Sequence, residues 1–191
     1  MTRRHSPADP PMFPLVTAGI PRPLSTCQCG CRGNHFPADP YKGWCALSRL
    51  LLINGPNLGI LGSRQPDIYG TDTLADIEGW VAEEVAGRGW KVEAFQHDGE
   101  AEMIRTIQAN YDTVGAIVNP AALMMAGWGL RDALADYPRP WIEVHLSNVW
   151  AREQFRHQSV TGPLATGVIF GLGATGYRLA ARALLERVAD R

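Results

Sequence analysis

From Arg49 onward, short apolar runs alternate with stretches whose apolar residues recur every three to four positions. The runs "RLLLIN" (49–54), "WKVEAFQ" (90–96), "VGAIVN" (114–119), "PWIEVHL" (140–146) and "GVIFGL" (167–172) read as strands, most of them apolar on both faces. Between and after them, 73–89, 99–111, 123–137 and 176–190 carry helical periodicity. Parallel strands need crossover connections, so five strands separated by helices predict a parallel α/β sheet covered on both faces. Ligands of such sheets bind beyond the carboxyl ends of the strands, near the switch in strand order. That rule selects three loops: 55–70, 119–126 and 145–156.

The first 47 residues break this pattern. They hold eight of the fourteen prolines and little periodicity, so the expectation is a disordered extension, or a start codon placed too far upstream, with the domain proper at 48–191. All four cysteines fall there. "CQCGCRGNH" offers Cys27, Cys29, Cys31 and His35, but its spacing departs from the usual C-x2-C of zinc sites, which favours a thiol-bearing tail over a metal centre. A chain of 191 residues suffices for one domain with a sizeable core. The net charge of −1 argues against nucleic acid or an anionic membrane as partner. With neither a membrane-length apolar run nor a signal-peptide pattern, the expected location is the cytoplasm and the expected partner a small molecule.

The loop "NGPNLGILGSRQPDIYG" is longer than the usual ~2 to 6 residues for such a connection, which marks it as functional or mobile. It has no phosphate-binding glycine motif. Arg64 near Tyr69 favours the phenolate and makes the tyrosine a usable base; the alternative is a packing tyrosine beside a solvated charge. In "IEVHLSN", strand alternation puts Glu143 and His145 on one face, and Ser147 continues that line past the strand end. This suits a general acid oriented by a carboxylate, and equally a satisfied structural histidine. His97 and His157 have no such partner and read as surface or rim residues. "GLGATGY" is an incomplete nucleotide motif, read here as close packing before the last helix.

Taken in order, "NGPNLGILGSRQPDIYG", "IVNPAAL", "LRDAL", "IEVHLSNVWAREQFRHQS" and "ATGVIFGLGATGY" resemble the type II 3-dehydroquinate dehydratases from about Leu50 to the C-terminus. The resemblance implies a flavodoxin-like, doubly wound sheet of order 2-1-3-4-5. It also implies trans-dehydration of 3-dehydroquinate to 3-dehydroshikimate without metal or cofactor, in a trimer or dodecamer. Carried onto matching positions, Tyr69 is the base and Arg64 depresses its pKa. Asn57 stabilises the enolate through a water, and His145 is the acid, oriented by Glu143. Asn119, Ser147 and the Leu146 N–H hold hydroxyl and carboxylate groups of the substrate. Arg156 is the lid arginine, and Asp132 reaches a neighbouring subunit's site.

One loop departs from the family pattern. Where the family normally has asparagine, a small residue, two glycines, an apolar residue, threonine and histidine, this chain has Asn119, Pro120, Ala121, Ala122, Leu123, Met124 and Met125. Methionine is at best a weak acceptor and no donor, so polar recognition on that side is reduced, with Trp128 expected to extend the apolar surface. Gln65 stands where glutamate is common. Three readings follow: a working dehydratase of lowered affinity, a lyase or cyclase for a less hydroxylated ketone, and a non-catalytic binding or assembly subunit.

Overall fold

The computed structural model describes residues 48–63 and 70–189. The proline-rich segment with its cysteines lies outside the described residues, as do Arg64, Gln65 and Tyr69. Five strands form one sheet: β1 (Arg49–Asn54), β2 (Lys91–Gln96), β3 (Gly115–Asn119), β4 (Trp141–His145) and β5 (Gly167–Phe170). All pairings are parallel and the order is β2-β1-β3-β4-β5, as expected for a flavodoxin-like sheet. The helices are α1 (Leu74–Ala86), α2 (Glu100–Ala109), α3 (Trp128–Asp136) and α4 (Thr175–Ala189).

The alternation of β1 separates the two cores. Leu50 and Leu52 face one side with Ile77, Val81 and Val85 of α1 and Tyr177, Ala181 and Leu184 of α4. Leu51 and Ile53 face the other, with Met103 and Ile107 of α2 and Leu130 and Leu134 of α3. All four β1 side chains are fully buried, each stabilising the fold by roughly 1.5–3 kcal/mol relative to exposure. The residue that starts α1 is legible too. Thr73 accepts from the Asp76 backbone N–H while the Asp76 carboxylate accepts from the Thr73 N–H, a closed capping box. The Thr73 hydroxyl and backbone N–H together hold the Asp76 carboxyl below its ordinary range.

Two expected elements come out differently. The single helix expected over 123–137 is a 3-10 turn, Ala121–Met125, followed by α3 from Trp128. The break is at Gly127, whose N–H donates to Leu123 O at 2.7 Å, so that a Cβ there would also lie 2.7 Å from that oxygen. Apolar spacing runs through the break because both pieces pack on the same core. Strand β5 stops at Phe170 because Gly171 turns the chain at φ +79, its N–H bonded to His145 O, with no room for a side chain beside Asn148. Gly176 then brings α4 against Ile169 and Val144. "GLGATGY" is thus a turn and a packing element. Among the described residues no helix is long and apolar enough to cross a membrane.

Candidate active site

The chain runs from β1 outward to β2 and then back across β1 to β3, so the strand order switches between β1 and β3. In the parallel register Asn54 stands level with Asn119 and with Gln96, and His145 stands level with Phe170. Beyond these ends a cavity opens. Asn57, Asn119, Met125, His145, Leu146, Ser147 and Arg156 all line it, together with Ala121, Ala122, Met124 and Arg152. Of the candidate catalytic and substrate-binding residues, seven are thereby brought to one place, and Glu143 is hydrogen-bonded to His145.

The His145 Nε2 is 2.9 Å from Glu143 Oε1, and the two side chains are 6% and 0% exposed. A carboxylate only accepts, so Nε2 carries the proton and Nδ1 is the ring nitrogen left for other work. The ring is held from the side by Phe170, stacked at 5.1 Å. Strand register produces this arrangement, since residues two apart share a face and residues level on neighbouring strands touch.

Asn119 is more constrained than its expected role required. Its Oδ1 accepts from Ala121 N–H at 3.0 Å, and its Nδ2 donates to the Tyr177 hydroxyl at 2.8 Å. That hydroxyl donates in turn to Asn54 Oδ1 at 2.7 Å. The Asn119 bond to Ala121 holds the latter at φ +51, a left-handed conformation rare for alanine. Complete burial, partly offset by the Asn119 bond, pushes the Tyr177 phenol well above the ordinary tyrosine range. Burial does the same to Tyr137, whose hydroxyl pairs with Thr113. Neither is a base at neutral pH.

The first loop is pinned by a residue the sequence reading passed over. Asp98 accepts from the Asn57 backbone N–H at 2.8 Å and from Gln96 Nε2 at 2.9 Å, and these bonds, the Asn57 one foremost, hold its carboxyl below the usual range. Asn57 itself sits at φ +66, a geometry asparagine tolerates better than most residues. Of the cavity's two arginines, Arg156 is bonded through Nε to Glu153 at 2.8 Å, and Arg152 Nε lies 3.6 Å from the same carboxylate. Its own backbone N–H, then Arg156, keep the Glu153 carboxyl low. Arg152 was also missed, although it lies four residues before Arg156 in the same quoted motif. The two guanidiniums make their part of the cavity rim cationic.

Other expectations are refined. Asp132 stands apart from the cavity, 79% exposed on α3. Trp128, expected to extend the apolar wall, is a surface residue and is not part of the cavity lining. Helix α3 begins at Trp128, and the preceding break at Gly127 separates it from the methionine turn. His97 and His157 do have partners: His97 Nε2 is 2.8 Å from Thr106 Oγ1, and His157 Nε2 is 3.1 Å from Arg152 O beside the Trp150 ring.

The family model "Dehydroquinase class II" matches residues 48–185. The chain belongs to the class II dehydroquinase family. It is 48% identical over 146 residues to the 3-dehydroquinate dehydratase of Alkalilimnicola ehrlichii, a match covering 74% of this chain and 95% of that protein. Among solved structures, the type II dehydroquinase of Butyrivibrio crossotus superposes with a TM-score of 0.70 at 39% identity, over 73% of this chain and 99% of that one. That of Propionibacterium acnes does so with a TM-score of 0.68 at 42% identity, over 74% and 97%. The departures in the loop after β3 thus stand within a class II dehydroquinase.

Proposed function

We propose that this class II dehydroquinase is a 3-dehydroquinate dehydratase that removes water from its substrate through an enolate. The observation that carries the reading is the buried Glu143–His145 pair at a cavity that Arg152 and Arg156 also line, within a chain so similar to dehydratases. Tyr69 as tyrosinate, favoured by Arg64, takes the proton beside the ketone. The electron pair moves into the enolate, which a water held by Asn57 steadies, a preorganised electrostatic role. His145 then gives a proton from Nδ1, the ring nitrogen that Glu143 leaves free, to the departing hydroxyl, the C–O bond breaks, and water leaves. Tyr69 returns its proton to the histidine. Asn119, Ser147 and the Leu146 N–H hold polar groups of the substrate, and Arg156 closes over it.

The buried phenols of Tyr137 and Tyr177 support giving the base to another tyrosine. The same reading includes self-association as a trimer or dodecamer in the cytoplasm, with Asp132 reaching a neighbour's site. Exposed Trp128, on the helix that carries Asp132, offers apolar surface for that contact. The N-terminal segment before residue 48 is an appendage to this catalytic domain.

The test is a spectrophotometric assay of purified protein with 3-dehydroquinate, following the ultraviolet absorbance of the conjugated enone product. Turnover that disappears with Tyr69→Phe is the expected result. Absence of turnover in the unaltered protein, or turnover indifferent to that change, overturns the reading.

A further inference from the structure

We infer that Ser159 is a positioning residue for the acid, acting through Glu143. Strand β4 supplies both members of the Glu143–His145 pair, but nothing on that strand explains why the carboxylate keeps one orientation. The constraint comes from fourteen residues beyond His145. Ser159 Oγ lies 3.2 Å from Glu143 Oε1, the same oxygen that faces His145 Nε2.

The direction of that bond follows from hydroxyl stoichiometry. Ser159 Oγ accepts from the Gly162 backbone N–H at 2.8 Å, which occupies one lone pair. Its single proton has two neighbours, Glu143 Oε1 at 3.2 Å and Thr161 Oγ1 at 3.3 Å. The carboxylate is acceptor-only and charged, so it takes the proton, while Thr161 retains a proton of its own to donate. The result is a chain in which Gly162 N–H donates to Ser159, Ser159 donates to Glu143, and His145 donates to the same oxygen. Among the described residues Glu143 Oε2 has no partner, so the hydrogen bonding of a fully buried carboxylate runs through Oε1 alone. Two donors on one oxygen restrain a buried carboxylate more tightly than one, so the Ser159 bond steadies the imidazole that the same oxygen holds.

Two backbone features keep the serine in place. Val160 N–H donates to Met124 O at 2.7 Å, tying this segment to the turn that walls the cavity. Gly162 leaves room where a Cβ would lie 3.0 Å from Ser159 Oγ and 3.5 Å from Glu143 Oε1. Ser159 does not line the cavity, so it does not touch a substrate there, and its hydroxyl reaches the acid through Glu143.

This inference rests on the dehydratase reading for its kinetic test, and a second readout is independent of turnover. Ser159→Ala is expected to lower kcat by up to about 10- to 150-fold with KM within about twofold, the size of one charge-assisted hydrogen bond. Ser159→Thr, which keeps the hydroxyl, restores most of the rate. In a Glu143→Gln background the Ser159→Ala change costs less than about twofold, because the partner it acts through is altered. A loss that is undiminished in that background, or a rise in KM at constant kcat, overturns the proposal. If Ser159→Ala does not fold, Ser159→Cys, a weak donor of similar shape, takes its place in the cycle. If the unaltered protein turns over no 3-dehydroquinate, the dehydratase reading fails by itself, and nuclear magnetic resonance of the His145 ring decides this one. Ring signals displaced in Ser159→Ala and restored in Ser159→Thr support the positioning role; signals that stay put in both refute it.

Discussion

His145 Nε2 and Glu143 Oε1 lie 2.9 Å apart in a buried pair at the carboxyl end of the fourth strand, where the carboxylate settles which imidazole nitrogen carries the proton. Glu143→Gln keeps the shape but removes the charge, and a hydrogen bond to a charged group contributes roughly 1.5–3 kcal/mol. The expected outcome is a fall in kcat of about 10- to 150-fold with KM little changed, measured with 3-dehydroquinate at saturation. A variant with undiminished kcat would show that the carboxylate does not act on the acid.

Tyr177 joins the ends of β1 and β3 by donating to Asn54 and accepting from Asn119, from a helix 58 residues beyond the latter. Tyr177→Phe leaves both buried amides short of a partner, each omission costing about 1–3 kcal/mol. Thermal unfolding should fall by roughly 4–24 °C, given ~2–4 °C per kcal/mol for a domain of this size. Asn119 loses the bond that fixes its amide as well, so substrate binding weakens in the same variant. A midpoint unchanged within about 2 °C would mean the hydroxyl contributes nothing to the pairing.

Ala121 follows Pro120 in the turn after β3 and holds φ +51. The left-handed conformation costs an L-residue about 1–2 kcal/mol, whereas glycine's extra unfolded-state entropy costs about 0.5–1. Relief of strain is the larger quantity. Ala121→Gly should raise the unfolding midpoint by roughly 2 °C, and calorimetry that found a lower midpoint would show that the methyl group's packing outweighs the strain.

How far the sequence alone reaches can be seen by comparing particular elements. The five strands and their parallel pairing follow from short apolar runs separated by helical periodicity, although only β1, β3 and β4 are central, and the Glu143–His145 pair follows from period-two alternation within one strand. Both are local signals. The bond from Asn119 to Tyr177, and those of Ser159 and Asp98 to their partners, link segments that only the completed sheet brings together, so no spacing announces them. The break at Gly127 was hidden for another reason: the apolar period continues through it because Leu123 and Leu130 pack on one core. Arg152 stood in the same quoted motif as Arg156, but the chain between them is not a continuous helix, so their spacing did not announce that both line the cavity.

The side chains of Met125 and the buried Met124 bring no hydrogen-bond donor to a cavity that Arg152, Arg156 and Ser147 also line. A hydroxylated ring bound there leaves polar groups on the methionine side unpartnered, at about 1–3 kcal/mol for each buried hydroxyl. Met125 is only partly buried, so an imidazole at that position has room to orient toward the cavity, and its two nitrogens supply a donor and an acceptor. Met125→His should therefore lower KM for 3-dehydroquinate about 5-fold or more, while kcat, set by the proton-transfer groups, changes little. Steady-state kinetics on the two proteins decide the matter. An unchanged or higher KM would mean that the donor missing from the methionine side does not limit binding, and that the affinity is set at the cationic rim instead.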